Sequence, residues 1–186
     1  MNEDAAILQR FLSACINNRE EACRLAKQYP TVLRTENEVL HWLIIEDHSA
    51  AVALVLELGC EVGLRDSLGR TALCCACASG RLGCARILLA HGAAPDSPEP
   101  YDQNALDWAV LGKHMDVVVL LLEHGAKADY CDSTLGTVFR SMASWAPKER
   151  AVAMSVLEKH GVTREAVFQK HRLGELFASP EEAFLW

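Results

Sequence analysis

Thr71-Ala72-Leu73-Cys74-Cys75-Ala76-Cys77-Ala78-Ser79-Gly80, followed by Leu82 to Ala90 and then His91-Gly92-Ala93, is the stretch on which the fold turns. Small and apolar residues at helical spacing run to Ala78, Ser79-Gly80 breaks the pattern, and Leu82 to Ala90 restores an amphipathic period. The reading is a helix, a tight turn and a second helix. Gly92 stands where a helix end needs a left-handed residue. Pro95 and Pro98 then force a non-helical, projecting connection. Outward from this unit the pattern repeats. Leu40, Leu73 and Leu106 recur at intervals of 33 residues, and so do Gly59, Gly92 and Gly125. A fixed period of that length is the signature of stacked supersecondary units, none of which buries its apolar stripe alone.

These residues resemble the ankyrin repeat, whose signature is Thr-Pro-Leu-His-x-Ala, a Gly at the helix turn and a Leu-Leu-x-x-Gly-Ala ending. The match is closest over 66–98, where Asp66, Gly69, Thr71, Leu73, Ala76, Gly80, Leu88, Leu89, Gly92 and Ala93 fall in place, with Ala72 for Pro and Cys74 for His. Residues 99–131 match through Ala105 to Ala109 and Leu121 to Ala126. Residues 33–65 match through Leu40 to Leu43 and Val55 to Cys60, with Glu38 and Val39 replacing Thr-Pro. Residues 132–163 form an irregular repeat with Asp132, Thr137, Phe139 and Met142 in phase. There Ala146 to Glu149 stretches the turn, so Gly161 comes three residues late. Residues 1–32 are expected to be an N-terminal capping pair, with Phe11 to Cys15 on one helix and Arg19 to Leu25 on the next. Residues 164–186 are expected to be C-terminal cap helices, Ser179-Pro180-Glu181-Glu182 carrying an N-cap, Pro at the first position and carboxylates facing the dipole. The resemblance implies an all-α solenoid of about five helix pairs, a right-handed stack with a concave groove.

The 186 residues suffice for one domain or one short array. Hydrophobic residues make up 51%, and no run reaches the ~18 apolar residues a membrane helix needs, so no membrane partner is expected. The acidic start Met1-Asn2-Glu3-Asp4 lacks the basic character of a secretory signal, which points to a cytoplasmic protein. Its eight cysteines then read as reduced thiols. The net charge of −7 is uneven: residues 1–62 hold 10 acidic and 5 basic side chains. Such a surface repels nucleic-acid phosphates and attracts a basic protein.

Cys74, Cys75, Cys77 and Cys84 are the tightest group of potential ligands, but their place inside helices favours small buried hydrophobes over zinc. His91, His124 and His160 each precede a helix-ending glycine. Stacked repeats stand ~10 Å apart, too far for neighbouring imidazoles to share an ion, and a ring at a helix C-terminus explains the recurrence. Nucleophile-elbow, phosphate-loop and zinc-protease motifs are missing from the sequence, so no enzyme, no metal and no cofactor are expected.

Binding is therefore expected to reside on the surface. Trp42 and Trp108 occupy equivalent first-helix positions and are expected to pack between helices, an exposed aromatic stripe being the competing reading; Tyr101 and Trp145 are expected to be exposed. The resemblance places partner contacts at loop tips and helix turns. By phase these are Ser67, Leu68, Arg70, Ala78 and Ser79, then Tyr101, Gln103, Leu111 and Gly112, then Ser133, Thr134, Gly136, Ser144 and Trp145, with Glu46 and Asp47 at the first regular turn. Leu68 and Leu111 stand out as apolar residues on solvated turns. The expected function is a monomeric, non-enzymatic module that binds a protein partner, a basic one on the charge argument, through its concave groove and loop tips. One alternative is a small inhibitor, of the immunity type, that neutralises a basic toxin or enzyme. Another is a structural scaffold or self-assembling protein, suggested by the apolar ending Ala183-Phe184-Leu185-Trp186. An enzyme confined to 132–186 has the least support.

Overall fold

Left-handed residues close most of the described helices, and they recur with the period. A computed structural model describes residues 3–33, 38–97, 104–127, 142, 145–163 and 165. The described elements are α1 (Glu3–Asn17), α2 (Arg19–Gln28), a 3-10 turn (Pro30–Leu33), α3 (Glu38–Ile45), α4 (Ser49–Glu57), α5 (Ala72–Ala78), α6 (Leu82–Ala90), α7 (Ala105–Leu111), α8 (Met115–Glu123) and α9 (Pro147–Lys159). The architecture is all-α; the described residues hold no strand, and an isolated antiparallel bridge pairs Arg65 with Thr71.

Helices α4, α6, α8 and α9 end in the same way. Gly92 takes φ 85°, its N–H donates to the Leu89 carbonyl, and the Ala93 N–H reaches the Leu88 carbonyl at 3.0 Å. This Schellman pair satisfies carbonyls that the last helical turn leaves orphaned. It recurs at Gly59, Gly125 and Gly161, with φ of 96°, 80° and 76°. The first helices close through the same motif at Asp47, Gly80 and Lys113, where φ is 61°, 65° and 62°. The starts are equally local. Thr71 caps α5 by accepting from the Cys74 N–H at 3.2 Å. Asn104, one period later, caps α7 in a reciprocal box with Asp107, the two bonds measuring 2.9 and 3.0 Å, and both residues are buried.

The chain divides into two compact units, residues 1–94 and 95–186. In the first, α3 packs against α5 and α4 against α6, first helix on first and second on second. The N-terminal pair docks differently: α1 lies against α4, and Arg19 at the start of α2 reaches Glu57 at the end of α4 with an N–O distance of 2.6 Å. The core of this unit is Phe11, Leu25, Leu40, Leu43, Ile44, Leu73 and Leu88. Burying each such side chain contributes about 1.5–3 kcal/mol, which offsets the entropy of ordering short helices that are unstable alone. In the second unit α7 packs on α8 around Leu106, Val110, Val117 and Leu121. Pro147 opens α9 at its first turn, so Ala146 to Glu149, read from the sequence as a stretched turn, in fact forms a helix start. The C-terminal cap expected over 164–186 lies outside the described residues. No helix among the described residues is long and apolar enough to cross a membrane.

Candidate functional site

Helix α3 buries Val39, Leu40, His41, Leu43 and Ile44, and turns Trp42 and Ile45 outward. Trp42 is 39% exposed and Ile45, three residues on and on the same helical face, 47%. Trp42 was expected to pack between helices; its ring instead lies beside His48, centroids 5.9 Å apart and tilted by 38°. The turn that follows exposes Glu46. Ile45 was not singled out from the sequence, although it stands one period before Ala78 and two before Leu111, both of which were. Glu46 and Asp47 were assigned to the turn and do occupy it.

The next loop is bound to this helix. His41, buried, places Nε2 3.2 Å from the Arg70 carbonyl; since a carbonyl only accepts, Nε2 is the donor. Within the loop the Asp66 carboxylate is the organiser. One oxygen accepts from the Leu68 and Arg70 N–H groups at 2.9 Å, and the other accepts Nε and Nη2 of Arg70 at 2.9 and 2.7 Å. Arg65 closes the far side by donating to the Gly69 carbonyl at 2.6 Å. Partial burial works to raise the Asp66 pKa, but the hydrogen bonds and charge of Arg70 prevail and hold it below the ordinary carboxylate value. The product is a rigid tip with Ser67 exposed and Leu68 63% exposed. Arg70, named as a contact from the sequence, has its guanidinium committed to Asp66 and presents no free charge.

Ser79 is exposed at the α5–α6 turn. In the second unit Leu111 is 49% exposed at the end of α7, while Trp108 is half-buried with its Nε1 shielded and without a hydrogen-bond acceptor among the described residues. Trp145 corrects an expectation outright. It is 5% exposed, packed ahead of α9 with the Lys113 ammonium 5.4 Å from its ring centroid. Tyr101, Gln103 and Thr134, with Ser133, Gly136 and Ser144, lie outside the described residues.

The groups read as potential ligands are engaged elsewhere. Cys74, Cys75, Cys77 and Cys84 are all buried. Burial, with the Asp47 carboxylate adding to it, pushes the Cys84 thiol up to about 11, and burial next to Cys23 pushes Cys15 up to about 12. His41, Asp66 and Cys75 do bring donor atoms within 4.8 Å of one another. In that group the Asp66 carboxylate already accepts Nε and Nη2 of Arg70. His91 and His124 lie at helix C-caps, with Nδ1 2.9 and 2.8 Å from the carbonyls of Ile87 and Leu120. Their recurrence is thus a capping bond from a ring N–H, which a neutral imidazole makes as well as a cationic one.

The model of a known family, Ankyrin repeats in three copies, matches residues 40–132. Ankyrin repeat domain-containing protein 63 of Mus musculus is 35% identical over 74 residues, which is 40% of this chain and 19% of that protein. Its counterpart in Homo sapiens is 35% identical over 71 residues, 38% of this chain and 19% of that protein. The matched segment thus spans about a fifth of the length of these relatives.

Proposed function

Since the chain belongs to the ankyrin-repeat family, whose repeats mediate protein–protein interaction, we propose that it is a non-enzymatic module that holds a protein partner on the face built by α3, the 66–70 loop and the α5–α6 turn. The observation that carries this reading is the joint exposure of Trp42, Ile45 and Leu68 on elements tied together by the His41–Arg70 bond. Large apolar side chains held rigidly in water are the anchors of interfaces, because little further ordering is needed when they bind. Ser67, Ser79 and Glu46 supply a polar rim. Trp108 and Leu111 form a second patch on α7.

The partner's docking surface is apolar and basic in this reading. Residues 1–62 carry 10 acidic against 5 basic side chains, while Arg70 and Arg81 are neutralised by Asp66 and Asp47. A cationic partner gains steering from the uncompensated charge. Affinity capture with the wild type beside a Trp42→Ala, Ile45→Ala double variant, both shown folded by circular dichroism, tests the face. A partner held by the wild type and lost by the variant supports it. Equal retention by both removes α3 from the interface.

A further inference from the structure

Two residues of this chain adopt a backbone conformation that favours glycine, and they stand at the same position of their repeats. Asp47 has φ 61° and Lys113 φ 62°, against 65° for Gly80 between them. For an L-residue that conformation costs on the order of 1–2 kcal/mol. Gly80 shows that glycine meets the same backbone demand, with the same Schellman bond: Arg81 N–H to the Ala76 carbonyl at 2.9 Å, as His48 to Leu43 at 2.8 Å and His114 to Ala109 at 2.9 Å. The turn therefore does not need the side chains of Asp47 and Lys113. Strain kept where a less strained residue would serve points to another use.

In both cases the side chain crosses to the helix pair that follows. Asp47 lies 3.5 Å from Nη1 of Arg81 and 3.8 Å from the Cys84 thiol, on the α5–α6 turn and α6. Arg81 returns the contact, donating Nη2 to the Ile45 carbonyl at 2.8 Å at the end of α3. Lys113, with opposite charge, meets Glu149 at 2.7 Å in the first turn of α9 and stands over the Trp145 ring that precedes it. The two instances lie in different units and share no residue. Sign and partners differ; the backbone position and the direction of reach are the same.

We infer that the left-handed turn residue is a latch that sets how tightly each helix pair is coupled to the next: a charged residue there spends backbone strain to hold the following pair, and glycine leaves it unlatched. The consequence is that Asp47 ties α3 to the α5–α6 pair within the first unit and Lys113 ties α7 to α9 within the second. It holds whichever face binds a partner.

Native-state hydrogen exchange on the full chain tests it. Asp47→Gly relieves strain in its own turn and removes the latch, so two opposite changes are expected. The His48 amide should exchange no faster than in the wild type, while amides at the start of α6, such as Ala85, should exchange about two- to five-fold faster, the range for a half-exposed ion pair. Lys113→Gly should do the same for the first amides of α9. Glu149→Gln added to Lys113→Gly should bring no further acceleration there. Asp47→Asn, which tolerates the left-handed conformation, should accelerate α6 with His48 unchanged, and serves if glycine loosens the whole turn. Unaltered exchange in α6 and α9, acceleration of His48 together with α6 in both Asp47 variants, or additive effects of Lys113→Gly and Glu149→Gln would each overturn the latch.

Discussion

Replacing Gly92 by alanine isolates the cost of the left-handed cap. A Cβ at Gly92 would meet nothing within 4 Å, so no clash contributes, and the residue sits at φ 85°. The penalty is then that of an L-residue in the left-handed region, roughly 1–2 kcal/mol. Against it stands a gain of roughly 0.4–1 kcal/mol from the stiffer unfolded chain. The net loss is about 1 kcal/mol, and for a chain of this size that lowers Tm by about 2–4 °C. Thermal unfolding followed by circular dichroism reads it directly. D-alanine introduced at the same position by chemical ligation is the decisive control, because its preferred φ is positive. It keeps the entropic gain without the penalty and should match or exceed the wild type. If L-alanine leaves Tm unchanged, or D-alanine lowers it as much as L-alanine, the cap is not held by backbone conformation and the reasoning fails.

Leu106→Ala empties a fully buried site in α7 and should cost about 2–5 kcal/mol in urea denaturation. Trp145→Ala should cost about 3–5 kcal/mol, while Trp42→Ala, at a half-open site, costs far less; equal losses would contradict the burial pattern. Cys60 and Cys84 have pKa values raised to about 11 from 9.0. The protonated thiols stabilise the fold fully below pH 9, and that contribution drains away as pH rises towards 11, so Cys60→Ala, Cys84→Ala should flatten the alkaline limb of stability against pH. Asp66 has the reverse sign. Its folded pKa is depressed, so its contribution is complete above the ordinary carboxylate value and lost as pH falls through the lowered one. Asp66→Asn should lower stability at neutral pH and shrink the acid limb.

Part of the candidate surface was legible in the sequence and part was not. Leu68 and Leu111 were found because an apolar residue on a turn is conspicuous without knowing what lies nearby, and both are exposed. Ile45 was missed although phase alone places it with Ala78 and Leu111. Arg70 looked like a free charge, and only the loop's closure shows its guanidinium turned back onto Asp66.

The sequence by itself determined the repeating elements, because what ends a helix is local: a left-handed glycine, an Asn or Thr cap and the carbonyls within one turn lie within a few residues of each other. Gly59, Gly92 and Gly125 were readable on that ground, and so was the helix pair between each. The fate of the tryptophans was decided only by tertiary structure. Trp42, inside the apolar helix α3, faces water beside His48, while Trp145, ahead of α9 between small and polar residues, is buried under Lys113. Burial depends on what packs against the ring in space, and for Trp145 that includes Lys113, which is distant in the chain.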